Sequence, residues 1–343
     1  MKKVMRFMGL ACMAGLLAFT TSCKKNQDTS SVNVSIPPMS GVSMDGERAY
    51  IDENMHFNWN QEDYIYVYNL SDVYSESVVN VFENTSGAGP VATFHGSEMG
   101  APKTYNYRYF YPINMVSGDP EELANENRQT FTVEETQQYE GYEAPNHPIS
   151  AVDVDQMAMT INTDDLSAYA QLKHIFGMAG IRLGAATGKE VRVQSITIHD
   201  NVYNLWGTAD LKLHEVDMDR LTTLLGYFKA GNDTQFAAEY QDYVIGTLGW
   251  HANNDGGKDI TLDCTMGDPE GVMLPTGYDE TKRFFFMLRP LALGQGFTYD
   301  VVYTVDGQTK TKHVATWENH PAKRQFCMEP GIYKTWTLST RLQ

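Results

Sequence analysis

Apolar side chains recur at every second position in short runs along this chain, and that rhythm restricts the fold more than any other feature. Phe297, Tyr299, Val301, Tyr303 and Val305 share one face of such a run. Tyr105, Tyr107, Tyr109 and Tyr111 share another, which ends at Pro112. Val32, Val34 and Ile36 alternate with Ser31, Asn33 and Ser35 before Pro37-Pro38, and Phe57 and Trp59 precede the run Tyr64-Ile65-Tyr66-Val67-Tyr68. Successive side chains of a strand point to opposite faces, so a period of two places one face in a core and the other in water. The residues in phase are β-branched or aromatic, the types that suit a pleated surface, and Gly, Pro, Asn and Asp separate the runs as turn formers.

Local chemistry refines this reading. Asp306-Gly307 between two strand-like runs predicts a two-residue hairpin turn in which both residues take positive φ. Asn253 to Gly257 predicts a second hairpin, joining Val244–Trp250 to Ile260–Cys264. From Val191 to His199 the apolar phase changes, from Val191 and Val193 to Ile196 and Ile198, which places a β-bulge at Ser195. Partial helical spacing is confined to Asp217–Ala230 and to Asp164–Gly177, the latter also readable as a loop feeding a strand. Gly118 to Asn146 is polar and Glu-rich around a strand-like Gln129–Val133, and reads as a long surface excursion. Many short strands with few helices predict an all-β protein built of β-sandwiches. A chain of 343 residues exceeds what one core ordinarily serves. Two domains in tandem are therefore expected, over residues 32–164 and 165–343, with the boundary near Asp164-Asp165.

The first residues have a separate meaning. Lys2, Lys3 and Arg6 precede an apolar run from Gly9 to Phe19, which is shorter than the roughly 20 residues a membrane-spanning helix needs. Residues 1–22 read as a secretory signal peptide. Cys23 follows it directly and resembles the lipobox cysteine of bacterial lipoproteins, which would carry the lipid. Thr20 stands where that motif has Leu, and cleavage by ordinary signal peptidase near Ser22 is the rival expectation. Residues 23–31 would be a polar tether to the outer membrane. Loss of residues 1–22 takes the formal charge from −17 to −20, since three basic and no acidic groups leave with them. So acidic a chain has no clustered Lys and Arg for nucleic acid, and no basic face for anionic lipid.

Other chemistry is sparse. Cys264 and Cys327 remain after the signal and the lipobox, and an exported compartment permits a disulfide between them or leaves two buried thiols. Neither lies in a CxxC or beside metal-ligand neighbours, so no metal and no cofactor is expected. The carboxylate pairs Asp153/Asp155, Asp217/Asp219, Glu121/Glu122 and Glu134/Glu135 are what 43 acidic residues produce on solvated loops. No HExxH and no Ser/His/Asp arrangement is present, which argues against an enzyme. Trp206, Trp250 and Trp317 are candidates for sugar stacking, the basis of an alternative reading as a glycan-binding surface lipoprotein.

Several segments together resemble the fimbrillin family, the subunits of type V pili and their lipoprotein relatives. Trp59, Asp63, Ile65, Val67 and Tyr68 fit the family's W-x-x-x-D-x-I-x-V-Y strand pair. Ala92-Thr-Phe94 with Gly96, then Tyr109-Phe-Tyr-Pro112, resemble its A-x-F and Y-Y-P elements. Gln137-Gln-Tyr139, Leu172–Leu183, Ile196-Thr-Ile198 with Gly207, and Glu329-Pro-Gly331 with Tyr333 follow in the family's order. The resemblance implies two transthyretin-like (Greek-key) β-sandwich domains and a lipid-anchored surface protein acting in adhesion. It further implies a fimbrial subunit or anchor whose partners are other fimbrial subunits, engaged by strand exchange. For polymerising members it implies removal of the first strand at an arginine, here between Arg48 and Ala49. The candidate donor is the C-terminal strand, with Ile332, Trp336, Leu338 and Leu342 on one face and Lys334 among them. Closure of that strand on its own domain is the expected resting state.

Overall fold

The computed structural model describes residues 31–36, 39–40, 50–51, 56–70, 78–97, 99, 107–139, 159–163, 172–200, 204–213, 215, 217–232, 234–235, 239, 256–277, 280–288, 291–292, 297–314, 327–328 and 333–343. The described chain is all-β. Its largest sheet has seven strands, in the order β1 (Ser31–Ile36), β7 (Ala92–Ser97), β6 (Val78–Asn84), β5 (Tyr64–Asn69), β8 (Tyr107–Tyr111), β11 (Met159–Thr163) and β12 (Lys173–His174). A second sheet runs β10 (Thr136–Gln138), β16 (Asp259–Asp263), β14 (Val191–Asp200), β20 (Phe297–Val305) and β21 (Gln308–Val314), with β17 (Val272–Met273) also paired to β14. A third has β13 (Gly177–Ala185) between β18 (Lys282–Leu288) and β23 (Tyr333–Leu342). β9 (Arg128–Val133) pairs with β15 (Gly207–Lys212). Short ladders join β2 (Met39–Ser40), β3 (Tyr50–Ile51) and β4 (His56–Asn58), and join β19 (Leu291–Ala292) to β22 (Cys327–Met328).

The hairpin at Asp306-Gly307 forms as its sequence predicts: β20 and β21 pair directly across it, with φ of 51° at Asp306 and 75° at Gly307. Two positive φ values match the right-handed twist of the flanking strands, and Asp and Gly tolerate them. β20 alternates buried and half-buried along its whole length. β14 changes phase where the apolar pattern does, its pairing with β20 slipping between Val193 and Ser195. β21 is an edge strand whose first six residues are exposed, Lys310 and Lys312 among them. Charge on an edge discourages further strand addition.

Helices interrupt the strands. α1 (Pro120–Asn125) starts at Asp119, whose carboxylate accepts from the backbone N–H groups of Glu121 and Glu122. α2 (Met218–Ala230) falls where the partial helical spacing places it, and Asp217 accepts from the Arg220 N–H at 3.1 Å. Both starts follow the N-cap rule, in which a short side-chain oxygen satisfies an orphan donor of the first turn. No helix among the described residues is long and apolar enough to cross a membrane. Of the other partial helical pattern, residues 164–171 lie outside the described residues. Lys173–His174 and Gly177 onward are strands, so the alternative of a loop feeding a strand describes that end of it.

The expectation of a surface excursion from Gly118 to Asn146 is corrected. The described part, to Tyr139, is α1, β9 and β10. Gln129, Phe131 and Val133 are buried in strict alternation along β9, and Gln137 and Tyr139 are buried beyond it. The Glu and Thr residues that make the segment look solvated occupy its outward positions.

Two hydrophobic clusters result. The first joins both faces of the seven-stranded sheet to β9, β15 and α2, through residues such as Val67, Phe110, Phe131, Leu211 and Leu225. The second lies between the six-stranded and three-stranded sheets, as Ile196, Ile198, Val301 and Leu262 meet Ile181, Phe284 and Phe286. The clusters exchange segments: β15 and α2 serve the first, and Tyr139 serves the second. β18 serves both, with Phe285 and Met287 turned one way and Phe284, Phe286 and Leu288 the other.

Candidate functional site

Trp59, Asp63, Phe94 and Tyr111 form a folding motif in this chain. Trp59 is fully buried with its ring edge-on to Phe94 and to Tyr111, both at 5.0 Å between centroids. Its N–H and carbonyl pair with Gly89 at 2.7 and 2.8 Å. Asp63 closes the turn that follows: one carboxylate oxygen accepts from the Asn60 N–H at 2.7 Å and the other from the Tyr111 hydroxyl at 3.3 Å. Asn84 completes the turn, its N–H donating to the Asp63 carbonyl and its amide to Asn60 and Gly87 carbonyls. The segments quoted from three places in the sequence therefore meet in one aromatic cluster with a buried, hydrogen-bonded carboxylate. Such a group is satisfied structurally and has no open face for a ligand.

Gly96 belongs to the same region. A Cβ there would penetrate the Phe82 ring, so the glycine is required for the ring to lie across β7.

The edge next to this cluster is the candidate site. β1 is the outermost strand of the seven-stranded sheet and pairs with β7 on one side. Val34 is fully buried in the first core, Asn33 is exposed, and Asn33 Oδ1 lies 3.0 Å from His95 Nδ1 on β7. Burying one valine contributes about 1.5–3 kcal/mol. Withdrawal of β1 would take away one ladder and leave the other six strands of the sheet paired, with the outer backbone groups of β7 and the Val34 slot uncovered. Arg48 and Ala49, the candidate processing residues, lie outside the described residues, as does Cys23.

The C-terminal strand is engaged within its own chain. β23 pairs in parallel with β13, and the five residues Trp336–Thr340 lie opposite the three residues Ile181–Leu183 of β13. Leu342 is buried and its carbonyl accepts from the Ala186 N–H at 2.8 Å. Arg341 donates to the Ala185 and Gly277 carbonyls, at 2.9 and 3.1 Å. The Tyr303 hydroxyl and the Lys310 ammonium donate to the main-chain oxygen of Gln343. Ile332 and the side chains of Trp336 and Leu338 lie outside the described residues.

Cys264 is a free, buried thiol in the second core, and its S–H donates to the Leu262 carbonyl at 3.8 Å. Burial pushes the thiol well above its ordinary range, with Asp263 adding to the effect and Lys282 opposing it. The thiolate is the reactive form. Maleimide at neutral pH is therefore expected to leave Cys264 unlabelled in the folded protein and to label it in denaturant, read by peptide mass mapping. The side chain of Cys327 lies outside the described residues.

Trp206 is half-buried against the first core. Gly257 lies under its indole, where an added Cβ would come within 2.7 Å of Nε1. That packing makes it a wall residue more than a platform. Trp250, Trp317, Asp153 and Asp155 lie outside the described residues. Glu121 and Glu122 sit in the first turn of α1, where the helix dipole favours acids, and Glu134 and Glu135 are exposed beside β10.

An ion-pair group holds the loop over the β14 bulge. Arg192 donates to Asp268 at 2.7 Å and to the Gly271 carbonyl at 3.2 Å, with Glu190 and Glu270 nearby. The Glu270 N–H, then Arg192, hold the Asp268 carboxyl below the usual carboxylate value. A depressed folded-state pKa gives a contribution present above the ordinary value and lost as pH falls through the lowered one. The pair is exposed, so its global effect is small. As pH falls from the ordinary carboxylate value of about 4 through the lowered one, the loop at residues 265–271 is expected to become a pepsin cleavage site while the sheets stay protected, read by limited proteolysis from pH 5 to pH 2.5.

No family model matches this chain, and no curated protein does. Among solved structures it is similar to a candidate cell adhesion protein of Bacteroides ovatus, with 9% identity, 81% of this chain and 82% of that one covered, and a TM-score of 0.40. It is also similar to a candidate cell adhesion protein of Bacteroides uniformis, with 12% identity, 90% and 93% covered, and a TM-score of 0.38. A fimbrial protein of Bacteroides ovatus is similar at 10% identity over 91% of this chain and 51% of that one, with a TM-score of 0.33.

Proposed function

We propose that this chain is a fimbrillin-like surface lipoprotein of a Gram-negative bacterium, a structural or anchoring subunit of a fimbria that acts in adhesion. In this reading Cys23 carries the lipid, β1 follows the tether, and cleavage between Arg48 and Ala49 separates β1 from the body. The observation that supports it most directly is the place of β1: the first strand after the tether is an edge strand, its Val34 filling a slot at the rim of a sheet whose other six strands pair among themselves. A strand from a neighbouring subunit entering that slot would restore the β7 ladder and the Val34 contact, which is β-strand addition.

Protein extracted from the cell surface without heating tests this, by gel and N-terminal sequencing. A heat-sensitive ladder of multimers beginning at Ala49 is the expected result for a polymerising subunit. A lipidated monomer beginning at Cys23 is the result for an anchor. A soluble monomer with neither lipid nor processing would refute the assignment.

A further inference from the structure

Residues 134–139 leave one core and enter the other. Val133 is buried in the first cluster. Tyr139 is buried in the second, its ring 5.5 Å from Phe284 and 5.8 Å from the Lys282 ammonium. Between them β10 runs parallel to β16, with Thr261 N–H donating to the Glu135 carbonyl and Tyr139 N–H to that of Asp263.

Gln137, at the centre, is fully buried. Its side-chain Nε2 donates to the Met287 carbonyl at 2.8 Å, and its Oε1 accepts from the Met287 N–H at 2.9 Å. A residue in an antiparallel ladder exchanges that pair of bonds with one residue of the next strand. Here a side-chain amide makes the exchange. β13 already occupies the other edge of β18, so the amide takes the place of a neighbouring strand on the remaining edge. The strand it closes is the one whose alternate side chains enter both cores.

We propose that Gln137 is a clamp: by standing in for a strand beside β18 it makes the two cores open as one cooperative unit. The inference does not depend on the adhesion reading. Native-state hydrogen exchange with mass spectrometry tests it, following peptides from β5 in the first core and β20 in the second across a denaturant series. In the unmutated protein both peptides are expected to lose protection in one event with the same denaturant dependence. In Gln137→Leu, which keeps the volume and removes both bonds, the two openings separate. Gln137→Asn, which withdraws the amide by one methylene, separates them less and covers the case in which the Leu variant fails to fold. Separate openings in the unmutated protein would overturn the proposal. So would coincident openings in a folded variant, because the amide would then be one stabilising contact among many.

Discussion

Trp59→Ala is expected to destabilise the protein by about 3–5 kcal/mol, the range for deleting a large aromatic from a core. Against a total stability of roughly 5–15 kcal/mol for a folded domain, that loss removes much or most of the margin. The expectation rests on three observations: Trp59 has no exposed surface, two rings meet it edge-on, and its backbone pairs with Gly89. Removing the indole also undercuts Tyr111, whose hydroxyl holds Asp63 in its turn. Trp59→Phe keeps an aromatic contact and is expected to cost distinctly less. Urea unfolding with tyrosine and circular-dichroism signals measures both. An Ala variant within about 1 kcal/mol of the parent would mean that the cluster is not the structural centre described above.

The second large effect is expected at Gly271. Its φ is +92°, and an added Cβ would run into the main-chain carbonyl of Val193 and the Cα of Gln194. Those atoms belong to the β14 bulge, which is pinned further by the Cys264 N–H donating to the Gln194 carbonyl. Backbone atoms held on both sides cannot yield as the tip of a side chain can. The left-handed conformation costs roughly 1–2 kcal/mol and overpacking roughly 1–3, so Gly271→Ala is expected to lose about 2–5 kcal/mol. Gly188 separates the two causes. Its φ is +76° with nothing within 4 Å of a Cβ, so Gly188→Ala should show only the conformational part. Equal losses at the two positions would show that the bulge gives way and that the steric argument is wrong.

The sequence made some of this plain and hid the rest, for reasons that follow from range. The Asp306-Gly307 turn, the phase change in β14 and the alternation of β20 are each encoded within ten residues, where period and turn chemistry act directly. The start of α2 is legible for the same reason, since Asp217 acts on the turn beside it. Gln137 and Met287 are 150 positions apart, and the buried Arg108 donates to Leu213 across 105. No local pattern announces either pairing. Both are polar residues whose buried side chains hydrogen-bond to distant backbone groups. The excursion expected at Gly118–Asn146 failed on the same ground: Gln129 and Gln137 count as polar by composition, yet both are interior. The quoted Gln137-Gln-Tyr139 motif was the available hint, and its meaning required the fold. At the candidate site, alternation was enough to show that Val32–Ile36 is a strand. Its position at the edge of the largest sheet depends on which strand lies beside it, which is a property of topology.

β18 carries a liability as well as a junction. Phe284-Phe285-Phe286-Met287-Leu288 is an uncharged apolar pentapeptide, hidden on both sides only once two separate cores have assembled around it. Until then it is the kind of sticky stretch that nucleates misassociation between nascent molecules. Lys282 and Arg283 stand directly before it, as gatekeeper charges commonly do, and neutralising that pair would be felt first as poor yield and inclusion bodies, before any change in the finished fold.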